Sequence, residues 1–249
     1  MPLRRLRADL HIHTCLSPCG ELAMSPRAVV ERARAAGLDL IAVTDHNTTE
    51  NAAAAIAAAA GSALTVLPGI ELTTSEEVHL LGLFEPGSDL GPFQNEVYRN
   101  LPDLPEKKKF VQDQVLVDAD DYVTGFCPRC LFGATRFDVQ EAVDLIRGHL
   151  GLAIACHIDR DSFSILSQLG FIPSGLGLEA VEISPRLGPG EALAAFARAA
   201  DGRPVVRFSD AHKPEEIGAA VTEFLVEAPT LAEIRRALAG REGREVRLP

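Results

Sequence analysis

Residues 6–14 read LRADLHIHT, and the fold turns on how this stretch and its successors are read. LRADLHI reads as a β-strand, and in a strand the imidazoles of His11 and His13, two residues apart, fall on one face. Outward from it, Ser25-Pro26 offers an N-cap followed by proline in the first turn, and Gly37 offers a stop, so 26–36 reads as a helix. LDLIAV (38–43) is a short apolar run of the kind a strand covered on both faces requires. An alanine-rich helix over 49–60 precedes strands in ALTVLPGIEL (63–72) and VHLLGLF (78–84). Then come helix 138–148, strand LAIAC (152–156), helix 162–169, strand LEAVEI (178–183), helix 189–200, strand PVVRF (204–208) and a strand–helix–strand near 221–248. Such alternation builds an α/β fold with parallel strands under covering helices, and at 249 residues a closed or distorted barrel is its natural form.

One stretch breaks the rhythm. Residues 86–137 mix Pro, Gly and both charges without a sustained period, and about fifty residues is too long for an ordinary connection. They read as an insertion or lid after the fourth strand, within a single domain spanning 1–249.

Composition narrows the class. Hydrophobic residues make up 47% and charged residues 24%, enough for a full core, which excludes disordered and collagen-like chains. The net charge of −11 argues against binding long duplex DNA, whose partners are basic. No apolar run reaches the roughly 18 residues of a membrane helix, and no signal peptide is visible. Five cysteines, an odd number, speak against a secreted disulfide framework and for a reducing cytoplasm.

Six of the seven histidines fall where a strand ends or begins. His11 and His13 close the first strand, Thr44-Asp45-His46 follows the second, Glu71 closes the third and His79 lies beside the fourth. His157 follows LAIAC, and Ser209-Asp210-Ala211-His212 follows PVVRF. In a β/α barrel these ends share one face, where imidazoles and carboxylates can form a polynuclear metal site. His149, in the last turn of a helix, complements the helix dipole and stands outside this set.

DLHIHT, AVTDHN, PGIEL, VHLLGL, ACHIDR and FSDAH, in that order, resemble the successive motifs of the polymerase and histidinol phosphatase (PHP) domain family. The resemblance spans nearly the whole chain outside 86–137. It implies a distorted TIM-like (β/α)7 barrel, two to three divalent ions (Zn²⁺, Mn²⁺ or Fe²⁺) and hydrolysis of phosphate esters by metal-activated hydroxide. Carried over by position, His11, His13, Glu71 and Asp210 hold a first metal, and Glu71 bridges to a second held by His79 and His157. His46 and His212 hold a third, whose remaining ligand is usually a histidine or aspartate. Here Cys19 stands nearest that spacing, and a thiolate would favour Zn²⁺. Glu71 and Asp210 are the carboxylates at the chemistry. Asp45 either fixes His46 or a neighbouring imidazole, or caps the helix starting near Thr49. Arg160 either grips the substrate phosphate or pairs with Asp159 or Asp161 on the surface, and Ile158 replaces the usual proline.

The remaining motifs are blander. Cys127-Pro128-Arg129-Cys130 reads as reduced thiols, half of a zinc site or a redox pair, and Cys156 as core packing. Lys107-Lys108-Lys109, Lys213 and Arg186 read as solvated charges. The substrate expected is a small phosphorylated metabolite or nucleotide phosphate. The alternatives are 5′-3′ removal of nucleotides from short nucleic acids, histidinol phosphate hydrolysis, a non-catalytic regulatory module and a C–N amidohydrolase.

Overall fold

The structure, a computed structural model, describes residues 2–103 and 113–249. The Lys107–Lys109 run lies outside the described residues. The chain opens with β1 (Arg4–Ile12), α1 (Pro26–Ala35), β2 (Leu40–Val43), α2 (Glu50–Ala58), β3 (Thr65–Thr73) and β4 (His79–Leu83). The Ser25 hydroxyl accepts the Ala28 amide at the start of α1, as its sequence position implies. The 86–137 segment contributes α3 (Gly91–Asn100), β5 (Val115–Val117) and β6 (Val123–Phe126). Beyond it come α4 (Val139–Gly148), β7 (Leu152–Ala155), α5 (Ile165–Leu169), β8 (Ala180–Ile183), α6 (Pro189–Ala200) and β9 (Val205–Arg207). β10 (Thr222–Val226), α7 (Leu231–Leu238) and β11 (Glu245–Arg247) end the chain.

The nine-stranded sheet runs β11-β10-β1-β2-β3-β4-β7-β8-β9. Seven of these strands, β1 to β4 and β7 to β9, curl into a nearly closed barrel. Ile12 bridges to Ala211 just beyond β9, and the His13 amide donates to the Ala211 carbonyl at 3.0 Å. The expected parallel arrangement holds for β1-β2-β3 and for β7-β8-β9, but β4 is antiparallel to both its neighbours. The reason is the link from Thr73 to His79, which is too short for the crossover that a parallel pair needs.

Inside the barrel, Leu10, Leu40, Leu67, Leu81, Ile154 and Phe208 form one buried cluster, continued by Leu231 and Ile234 of α7. α7 stops the far end: its Leu231 amide donates to Glu85 and its Arg235 guanidinium to the Gly151 carbonyl. The open end, where β1, β2, β3, β7, β8 and β9 finish, is left for side chains with other work. Because β4 runs the opposite way, its first residue, His79, arrives at that same rim.

The 86–137 segment has structure of its own, in α3 and in the antiparallel pairing of β5 with β6. Phe93, Val97, Cys127 and Leu131 of this segment bury in the same cluster as Phe84 and Ile146, so it is bonded into the core. Cys127 and Cys130 are free and buried, and neither joins a potential metal-ligand group among the described residues. No helix among the described residues is long and apolar enough to cross a membrane.

Candidate metal centre

Glu71, at the end of β3 and buried, is the hub of the rim. Its Oε1 lies 2.8 Å from His79 Nδ1, 3.1 Å from His157 Nε2 and 3.4 Å from His11 Nε2. Its Oε2 lies 3.0 Å from His46 Nδ1 and 3.3 Å from His13 Nε2. Asp210 faces it from beyond β9, with Oδ1 at 3.2 Å from His11 Nε2 and 3.1 Å from His13 Nε2. His212 stacks on His13 with ring centroids 4.1 Å apart.

The outer nitrogens are fixed. His11 Nδ1 meets both oxygens of the buried Glu182, each at 3.0 Å, so Nδ1 carries the proton there. His13 Nδ1 lies 2.9 Å from Ser17 Oγ, whose own proton goes to Asp45 Oδ1 at 2.6 Å, so this Nδ1 also donates. His212 Nδ1 donates to the Asp210 carbonyl at 2.8 Å. With Nδ1 donating, neutral His11 and His13 present Nε2 lone pairs to each other at 3.3 Å, beside two carboxylates. Only a cation, a proton or a metal ion, satisfies that arrangement, and imidazole with carboxylate is a donor set that suits Zn²⁺, Mn²⁺ and Fe²⁺.

The ionisation of these groups is polarised accordingly. Burial alone would raise the Glu71 carboxyl, but His79, His46 and His11 hold it well below its ordinary range. Asp210 is likewise held well below, by His11 and His13 against burial. Burial opposes the charging of His13 and His46, yet the two carboxylates lift His13 to about 9, and Glu71 with Cys19 lifts His46 to about 9. Burial drives His79 down to about 4, and burial with the charge on His13 drives His212 down to about 3.

The ligand atoms that approach one another form overlapping groups: His11, His13, Glu71 and Asp210; His46, Glu71 and His79; Glu71, Cys156 and His157; and His13, Cys19, His46 and His212. The rim thus gathers His11, His13, Cys19, His46, Glu71, His79, His157, Asp210 and His212. Cys156 sits among these groups, and burial keeps its thiol protonated well above the usual range. His149 stands apart, edge-on to Phe93.

One expectation is narrowed and another changes. Asp45 touches no imidazole and does not cap α2, where Thr49 holds the N-cap position. Its Oδ1 accepts the Thr14 amide at 2.7 Å and the Ser17 hydroxyl, so it reaches His13 and the His46 amide only through Ser17. Arg160 pairs with neither Asp159 nor Asp161: its Nη2 donates to Asp210 Oδ2, while Asp159 holds the Ser184 amide and hydroxyl. Arg160 Nε is buried without a partner.

Three residues of the site escape a reading of the sequence. For Glu182 the available signal is a carboxylate inside the apolar run AVEI, and Ser17 carries none. Asn47 is the third: its amide donates to the carbonyls of Leu131 and Gly133, both at 2.9 Å, and its Oδ1 accepts the Thr73 amide. Asn47, His157, Phe163 and Asp210 all have positive φ, from 30° to 58°, a backbone state costing roughly 1–3 kcal/mol per residue that clusters at functional sites.

A PHP domain model matches residues 9–122, and a PHP-associated model matches 193–243. A 5′-3′ exoribonuclease of Escherichia coli is 39% identical over 84 residues, covering 30% of this chain and 26% of that protein. A 3′,5′-nucleoside bisphosphate phosphatase of Chromobacterium violaceum is 40% identical over 78 residues, with the same coverage. The matched segments therefore span about a quarter of each curated relative. Among solved structures, a lesion-specific endonuclease of Pyrococcus furiosus superposes with a TM-score of 0.72 at 17% identity, over 98% of this chain and 58% of that one. A two-domain Bacteroides vulgatus protein, described as containing a predicted PHP-like metal-dependent phosphoesterase, gives 0.60 at 18% identity over 99% and 65%. These two structural likenesses speak for the fold.

Proposed function

Because this chain belongs to the PHP domain family, we propose that it is a metal-dependent hydrolase of phosphate esters, acting at the rim around Glu71. The observation that carries this reading is the inward turn of His11 and His13 Nε2 onto Glu71 and Asp210, with their outer nitrogens held by Glu182 and Ser17.

In this reading His11, His13, Glu71 and Asp210 hold one divalent ion, Glu71 with His79 and His157 a second, and His46, His212 and Cys19 a third. Two to three such ions, Zn²⁺, Mn²⁺ or Fe²⁺, would neutralise phosphate charge and acidify water toward neutral pH. The chain's own residues do the rest. Glu182 keeps His11, and the Asp45–Ser17 pair keeps His13, in the tautomer whose lone pair faces inward. Arg160, beside Asp210 and partly exposed, meets an arriving phosphate with a planar guanidinium suited to two oxygens at once. Glu71 and Asp210 stay ionised through the working pH range because the imidazoles hold their protons off.

The substrate we propose is a small phosphorylated metabolite or nucleotide phosphate, with the terminus of a short oligonucleotide as second reading. Two features support the small size. A net charge of −11 repels a long polyanion, and the cleft beside His46 and His79 has a volume of about 430 Å³.

The test is hydrolysis with Mn²⁺ and with Zn²⁺ of a phosphomonoester, a phosphodiester, a nucleoside 3′,5′-bisphosphate, histidinol phosphate and a 5′-phosphorylated tetranucleotide. Chelator-sensitive turnover of any of them is the expected result. Silence on all five with metal bound would remove the proposal.

A further inference from the structure

The cleft at the rim has one wall that the metal cluster does not explain. Besides Cys19, His46 and His79 it is lined by Thr73, Pro18, Phe132 and Phe163. Phe132 is 51% exposed and Phe163 41% exposed, so neither is spent on the core. Both are nevertheless held in place. Asn47, the residue after His46, grips the carbonyls on either side of Phe132, those of Leu131 and Gly133. The Phe163 carbonyl accepts the His79 amide at 2.9 Å, and its ring stacks on the His79 imidazole, centroids 4.7 Å apart and planes within 24°. Two exposed aromatic rings are thus tied, one through each neighbouring strand end, to the histidines of the metal cluster.

Resting on the phosphoesterase reading, we propose that this cleft seats a flat aromatic ring on the leaving group, of the nucleobase type, while the phosphate lies at the metal cluster. The cleft's volume of about 430 Å³ falls within the range of small-molecule sites. Aromatic faces presented from a fixed backbone bind any base by stacking, and with two rotatable side-chain bonds they surrender little freedom in doing so. A ringless leaving group gains nothing from either phenylalanine. The site therefore sorts phosphate esters by the leaving group, and the residues that sort them are Phe132 and Phe163.

The experiment compares kcat/KM for adenosine monophosphate and ribose phosphate, with Mn²⁺ or Zn²⁺, in the wild type, Phe132→Ala and Phe132→Tyr. Equilibrium dialysis of adenosine alone is run beside it. The wild type should prefer the ring-bearing ester by at least about ten-fold. Phe132→Ala should cut that preference by roughly 5- to 150-fold, the range for losing one stacked base, and Phe132→Tyr should restore it. Equal kcat/KM for the two esters in the wild type, or an undiminished preference in Phe132→Ala, overturns the assignment. If neither ester turns over, the five-substrate panel separately decides the phosphoesterase reading, and dialysis decides the cleft. Adenosine binding that weakens in Phe132→Ala upholds it, and no binding by the wild type overturns it.

Discussion

Along the barrel rim, strand ends deliver imidazoles and carboxylates that are almost all buried, each tied to the next within about hydrogen-bond distance. In the 86–137 segment, the described side chain that lines the same cleft is Phe132, half exposed and anchored through its neighbours' carbonyls. The rim is costly to change, because removing one buried charge strands its partners. Phe132 is cheap to change, because an exposed ring leaves nothing unpaired behind it. On the proposed reading the contrast amounts to a division of labour: the barrel fixes the chemistry at the phosphate, and Phe132 is free to set what the phosphate is attached to.

The contrast is most vulnerable at the rim. Asp210→Asn keeps the positive φ of 51°, which asparagine tolerates, but loses a charge shared by His11, His13 and Arg160. Phosphoester turnover should fall by more than about 100-fold with a cooperative melting transition retained, since even residues that only support ligands cost 10–100-fold. Turnover at the wild-type level would mean that the rim is not the reacting site.

Glu182→Gln probes the layer just outside the ligands. Glutamine can still reach His11 Nδ1 but cannot match the carboxylate that meets it with two oxygens at 3.0 Å. Metal affinity, read by titration with Zn²⁺, should drop about 10- to 100-fold. An unchanged affinity would make Glu182 a packing residue.

Arg160→Ala should act more mildly, raising KM about ten-fold for phosphate-bearing substrates while kcat moves less, measured by steady-state kinetics. If KM holds, the guanidinium serves only Asp210.

The smallest effect is on stability against pH. His13 and His46, lifted from 6.5 to about 9, add stability that is complete below pH 6.5 and lost as pH rises through about 9. His79 and His212, depressed to about 4 and about 3, remain neutral while the unfolded chain takes up protons, so stability also falls as pH drops below 6.5. With chelator present, the thermal midpoint should therefore peak near pH 6.5. Saturating Mn²⁺ should remove the alkaline decline, because neutral imidazole is the ligand form.

Legibility in the sequence divides along the same line. His11-x-His13, Thr44-Asp45-His46, Glu71 and Asp210-x-His212 are legible because each sits where a strand pattern stops, and in a β/α barrel all such stops share a face. Glu182 is not, because a carboxylate alternating with apolar residues reads as a solvent-facing strand position. Only the closing of the barrel between Ile12 and Ala211 turns it inward onto His11. The pairing of Arg160 with Asp210, fifty positions away, depends on that same closure. The position of β4 is plain in VHLLGLF, but its direction depends on the short Thr73–His79 link. α3 is hidden because its N-cap position holds Leu90, which makes no side-chain cap bond. Phe132 is illegible because its position is set by Asn47, some eighty residues earlier.

The most direct measurement is the metal content of the chain after loading with Zn²⁺ or Mn²⁺ and desalting, by elemental analysis, in the wild type and in Glu71→Gln. The wild type should retain two to three ions per chain, and Glu71→Gln should lose at least one, since Glu71 stands between five imidazoles. Less than one ion per wild-type chain, or equal content in Glu71→Gln, would contradict the assignment of the rim as a polynuclear metal centre.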